Sequence, residues 1–164
     1  MIASVYSATR PERNGNLPLI AAARRGKPLV VAALLTHLHP AAVADRHDVS
    51  GQTALHVASK LGHAEVVALL CEAGGDVDVG EEGDAATPLH LAARYNHAPV
   101  VAKLLEHGAH ASMSSTWRDA TGKVGTPDHH AGSSKIRTML ATAVRDEKAA
   151  KITAAAAAAA MKEL

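Results

Sequence analysis

DVSGQTALHVASKLGHAEVVALLCEAGGDVDV, from Asp48 to Val79, lines up with DAATPLHLAARYNHAPVVAKLLEHGAHAS, from Asp84 to Ser112. Thr53 falls on Thr87, His56 on His90, Ala58 on Ala92, His63 on His97, Val66-Val67 on Val100-Val101 and Leu70 on Leu104, always 34 residues apart. A phase held over more than twenty positions marks a structural repeat. A unit of this length cannot hide its apolar face alone, so neighbouring units must stack to cover it.

Each unit reads as two helices. Thr53 and Thr87 are suited to cap a first helix, and Pro88 suits the first helical position, where the missing N–H had no partner to lose. Leu55, Ala58 and Ser59, like Leu89, Ala92 and Ala93, recur at helical spacing on one face. Gly62 ends that helix, and Asn96, the next-best residue for a left-handed turn, stands at the same place one repeat on. The second helix then carries Val66, Val67, Leu69 and Leu70, or Val100, Val101, Leu104 and Leu105, with Gly74-Gly75 or Gly108 closing it.

The phase decays outward. LPLIAAARRGKPLVVAALL, Leu17 to Leu35, forms a first unit with Leu17 in the Thr position, Ile20 in the His position and Gly26 in the turn. DATGKVGTPDHHAGSSKIRTML, Asp119 to Leu140, is a degenerate fourth. There Asp128 replaces the apolar Leu, and the step from Ala131 to Ile136 is three residues shorter than that from Ala58 to Val66, which casts doubt on a normal first helix. From Ser133 onward, Ile136, Met139, Leu140, Ala143 and Val144 make an apolar stripe, and Ala154 to Ala160 is unbroken, so one long helix is expected. Its start is expected to pack as a cap and its alanine run to bury little.

The pattern TALHVA or TPLHLA, then GH or NH, then VV, LL and GG or GA resembles the ankyrin repeat. The resemblance covers residues 48–79 and 80–112 as clear units, with degenerate units at 14–47 and 113–145. It implies an all-α solenoid of about four helix-turn-helix units with β-hairpin-like loops. The expected organisation is an N-terminal arm (1–13), a repeat domain (14–148) and an Ala-rich helical tail (149–164).

Composition agrees with thin helical layers. Of 164 residues 36 are alanine, and the aromatics are Trp117, Tyr6 and Tyr95, so close helix approach must replace the large aromatic side chains of an ordinary core. One cysteine, Cys71, excludes an internal disulfide and favours an intracellular, cytoplasmic or nuclear setting. No run approaches the roughly 20 apolar residues of a membrane span. Charge is uneven: residues 1–47 carry a net +4 and residues 48–84 a net −7. Such division disfavours a nucleic-acid binder with a continuous positive face.

Chemistry is sparse. No phosphate loop, H-E-x-x-H or nucleophile elbow is present, so no catalytic residue, cofactor or metal is expected. His56, His63, His90 and His97 recur at the structural period, and the resemblance implies that the TPLH histidines hydrogen-bond between repeats. Asp128-His129-His130 has metal-like chemistry but lacks further spaced ligands; a solvent-facing cap accounts for it better.

The resemblance implies a protein partner, bound on the concave face and the hairpin tips by a chain that is a monomer on its own. On this sequence the variable first-helix positions are Arg24 and Arg25, Lys60 and Leu61, Arg94 and Tyr95, a cationic ladder with one aromatic. One tip holds Asp76, Asp78, Glu81, Glu82 and Asp84, and the next holds Trp117. Two alternatives are an anionic surface bound by Arg10, Arg13, Arg24, Arg25 and Lys27, and a metal-responsive protein using His129 and His130.

Overall fold

The computed structural model describes residues 18–38, 51–81, 85–114, 116 and 125–162. Eight helices lie within them: α1 (Pro18–Arg24), α2 (Pro28–His37), α3 (Ala54–Leu61), α4 (Ala64–Glu72), α5 (Pro88–Arg94), α6 (Ala98–Glu106), α7 (Pro127–His130) and α8 (Ser134–Lys162). They pair as α1–α2, α3–α4, α5–α6 and α7–α8. First helices pack on first helices along the series α1, α3, α5, α7, and second helices likewise along α2, α4, α6, α8. The result is an all-α, two-layered stack of four units.

The core runs along the seam between the layers. Leu55, Ala58, Leu89, Ala92 and Ala93 of the first helices meet Val66, Val67, Leu70, Val100, Val101 and Leu104 of the second helices, all buried. Leu69 and Leu105 sit at the edge, only partly covered. Ala58 and Ala92 are fully buried at the same place in adjacent units. A methyl group there leaves room for the neighbouring helix, which is how so few large side chains make a continuous core.

The ends of the stack differ from its middle. Val30 occupies the position of Val66 and Val100, yet it is 49% exposed where they are 1% and 0%. Among the described residues no layer precedes the first unit. At the other end the shortened sequence of the fourth unit yields a first helix of only four residues, α7. Ser133 then starts α8, its hydroxyl accepting from the Ile136 N–H at 3.4 Å. Ile136 and Leu140 are buried, Met139, Ala143 and Val144 pack beside them, and residues 148–155 are all exposed. The alanine tail thus continues the cap helix without a break.

Candidate functional site

The turn that ends each first helix positions the candidate residues. Gly62 sits at φ 82 and Asn96 at φ 62, both left-handed, so the chain reverses at once and leaves the last helical residues at the edge of the layer. Arg24, Arg25, Leu61, Arg94 and Tyr95 are exposed there, and Lys60 is half-exposed. The positions are equivalent between units, so Arg24, Lys60 and Arg94 form one row and Arg25, Leu61 and Tyr95 a second beside it. The rows meet at Tyr95: Lys60 Nζ lies 5.8 Å and Arg94 Cζ 5.6 Å from its ring centroid. A cation from the preceding unit and one from its own unit share this ring, a favourable quadrupole interaction that gathers the three groups.

Histidines fix the backbone under the first row. His63 Nε2 donates to the Arg24 carbonyl at 3.3 Å and His97 Nε2 to the Lys60 carbonyl at 3.0 Å. Each bond ties the end of one first helix to the next unit. The spacing of the cations is therefore set by the stack.

His56 and His90 tie the units together at the opposite end of the same helices. His56 Nδ1 accepts the Thr53 N–H at 3.2 Å while the His56 N–H reaches Thr53 Oγ1 at 3.4 Å, so helix start and histidine cap each other. His90 Nδ1 accepts the Thr87 N–H at 3.2 Å. With Nδ1 an acceptor the proton is on Nε2, and Nε2 donates to Ala86 O at 3.1 Å from His56 and to Gly125 O at 3.2 Å from His90. Burial pushes His90 down to about 4, against the raising effect of its bond to the Gly125 carbonyl. Charging it would also place a second donor against the Thr87 N–H.

The acidic tip is engaged from within. Asp76 Oδ1 accepts the Asp78 N–H at 3.0 Å. Asp78 accepts from His110 twice, from its N–H at 2.9 Å and from Nδ1 at 2.5 Å. Glu81 accepts from Gln52 Nε2 at 2.7 Å. Asp78 thus clasps this tip to the loop after α6, and its carboxylate raises the pKa of His110. The same loop is held from the other side by Glu147 of α8, which accepts the Ala111 N–H and the Ser112 hydroxyl, each at 2.6 Å. Spacing along the chain does not reveal these cross-unit bonds, because they join a loop to another loop or to a helix that meet only once the units are stacked. Glu82, Asp84 and Trp117 lie outside the described residues.

One expectation needs correction. The fourth-unit histidines do not both face solvent: His129 is exposed, but His130 is 8% exposed and its ring lies 5.9 Å from that of His90. His130 takes the place of Val57 and Leu91, so the stack buries it as it buries them. His129 keeps the repeat's position, with Nδ1 3.4 Å from Thr126 Oγ1, and Thr126 also bonds the carboxylate of Asp128. Among the described residues no three His, Cys, Asp or Glu side chains are grouped as a metal ion requires. Cys71 is half-buried on α4, where burial pushes its thiol up to about 11, away from the reactive thiolate. No helix among the described residues is long and apolar enough to cross a membrane.

Known proteins place this architecture. None among the curated proteins matches the chain. A family model described as ankyrin repeats (3 copies) matches residues 3–81 and 38–115, together more than half of the chain. With that match, the chain belongs to the ankyrin-repeat family.

Proposed function

We propose that the chain is a non-catalytic protein-binding module acting inside the cell as an adaptor, inhibitor or assembly factor. Ankyrin repeats are in general protein-interaction modules, and the row Arg24, Lys60, Arg94 with its companions Arg25, Leu61 and Tyr95 is where the partner docks. The observation that carries this assignment is the exposed Tyr95 held between Lys60 and Arg94 of two adjacent units. Aromatic and arginine side chains are the usual anchors of protein interfaces, and the Arg24 and Lys60 carbonyls of the row are held by His63 and His97. The tip carboxylates Asp76, Asp78 and Glu81 serve the fold first, through their internal bonds.

Affinity capture with the native chain, beside a variant carrying Lys60→Ala, Arg94→Ala and Tyr95→Ala, tests the assignment. Proteins retained by the native chain and lost by the variant are expected. Identical retained sets would sink it.

A further inference from the structure

We propose that the row Arg24, Lys60 and Arg94 receives an extended acidic polypeptide segment whose carboxylates recur at every third residue. The inference rests on the row being a protein-docking site and names the chemistry of what docks. One cation stands at the end of each of three consecutive first helices, α1, α3 and α5. Packed helices lie about 8–10 Å apart, and the bonds from His63 and His97 to the Arg24 and Lys60 carbonyls hold that spacing. An extended polyproline-type segment rises about 3.1 Å per residue with three residues per turn, so it advances about 9 Å between side chains on one face. Every third side chain therefore meets one layer of the stack.

The second row supplies what the intervening side chains touch. Leu61 is 44% and Tyr95 42% exposed, giving an apolar and an aromatic surface beside the charged row. Lys60 and Arg94 are gathered on the Tyr95 ring, and a carboxylate placed there offsets the repulsion between them. Nucleic acid fits less well. Each strand of a duplex carries a phosphate about every 3.4 Å along its axis, well above one cation per layer, and the −7 of residues 48–84 lies in the adjoining sequence.

The test is a titration of the full chain followed by backbone amide NMR, which reads weak binding directly. Four probes are used: a twelve-residue peptide with Glu at every third position, an isomer of the same composition with its Glu residues contiguous, the periodic peptide with Lys for Glu, and a single-stranded oligonucleotide. Shifts centred on Lys60, Leu61, Arg94 and Tyr95 are expected with the periodic peptide, which should bind about threefold to tenfold tighter than its isomer, since each exposed pair contributes modestly. Lys60→Glu and Arg94→Glu should remove the shifts while the amide spectrum away from the row stays that of the folded chain. Equal affinity for the two isomers, shifts elsewhere, tighter binding of the oligonucleotide, or no peptide binding would each overturn the acidic-segment inference. If the captured proteins still depend on Lys60, Arg94 and Tyr95, the docking row survives that failure; if they do not, both fall.

Discussion

The junction between the second and third units and that between the third and fourth solve the same problem with different residues. At the first, the ring of His97 lies over Gly62, so close that a Cβ on the glycine would meet His97 Nδ1 at 2.6 Å. Gly26 lies under His63 in the same way, with a Cβ at 2.5 Å from the ring. At the second, Gly132 replaces the histidine, its N–H reaching Ala93 O at 3.4 Å. A Cβ on Gly132 would be no nearer than 3.8 Å to Arg94 O and Asn96 Cβ. Among the described residues Gly132, and no histidine ring, lies against Asn96, which stands at φ 62. The residue at a helix-ending left-handed turn is thus chosen by the layer above as well as by the backbone.

The sharpest way to test the difference between regular and degenerate units is to remove the same histidine from each. His90 is fully buried and joins Thr87 to Gly125 O, whereas His129 is exposed and only 3.4 Å from Thr126 Oγ1. His90→Ala leaves a cavity and removes the ring that joins the buried Thr87 N–H to the Gly125 carbonyl, so a loss of about 3 kcal/mol is expected. His129→Ala should cost less than about 0.5 kcal/mol. Urea unfolding measures both, and equal losses would show that the fourth unit is built like the others.

Acid gives the same contrast without a substitution. His90 has a folded pKa of about 4, below its ordinary value near 6.5. Its contribution is therefore complete above pH 6.5 and lost as the pH falls toward 4, by roughly 3 kcal/mol. His110 runs the opposite way. Asp78 raises its pKa, so its contribution is complete below pH 6.5 and fades as the pH rises through the raised value. Stability measured from pH 7 to pH 4 should fall steeply in the native chain and less so in His90→Ala; parallel curves would remove His90 from the acid transition.

The junction itself is tested by a cycle on Gly62 and His97. Gly62→Ala forces a Cβ against the His97 ring and imposes φ 82 on a residue with a side chain, for an expected loss of about 2 kcal/mol. In a His97→Ala background the steric part disappears and about 1 kcal/mol should remain. Asn96→Gly should be neutral or slightly stabilising. A Gly62→Ala cost that is unchanged when His97 is absent would show that only the backbone requires the glycine.

The repeat, its caps and its turns were legible in the sequence because each is local. Thr53 precedes His56 by three residues, Gly62 follows α3 directly, and a constant 34-residue phase says that units stack. The exposed row could be named because it follows from the repeat register. What the sequence did not disclose depends on contacts that loops make across units. Asp78 with His110, and Glu147 with Ala111 and Ser112, join segments whose approach is fixed only once the units are stacked. That is why the tip carboxylates read from the sequence alone as groups for a partner. His130, polar by residue type, occupies a core position set by the register of Thr126 and Pro127.

The smallest expected effects separate the two halves of α8. Glu147 is the last residue of this helix seen to grip the stack, and Glu147→Ala removes two hydrogen bonds to the loop after α6. A net loss of about 1 kcal/mol is expected. Beyond Glu147 the helix buries little: residues 148–155 are exposed, Ile152 to 71%. Ending the chain after Ala155 removes helical residues that owe their conformation to alanine's propensity. Global stability should then change by less than about 0.5 kcal/mol, while the far-ultraviolet helical signal drops. A truncated chain that unfolds much earlier would show that the tail braces the stack, and the boundary between cap and tail would have to move beyond Glu147.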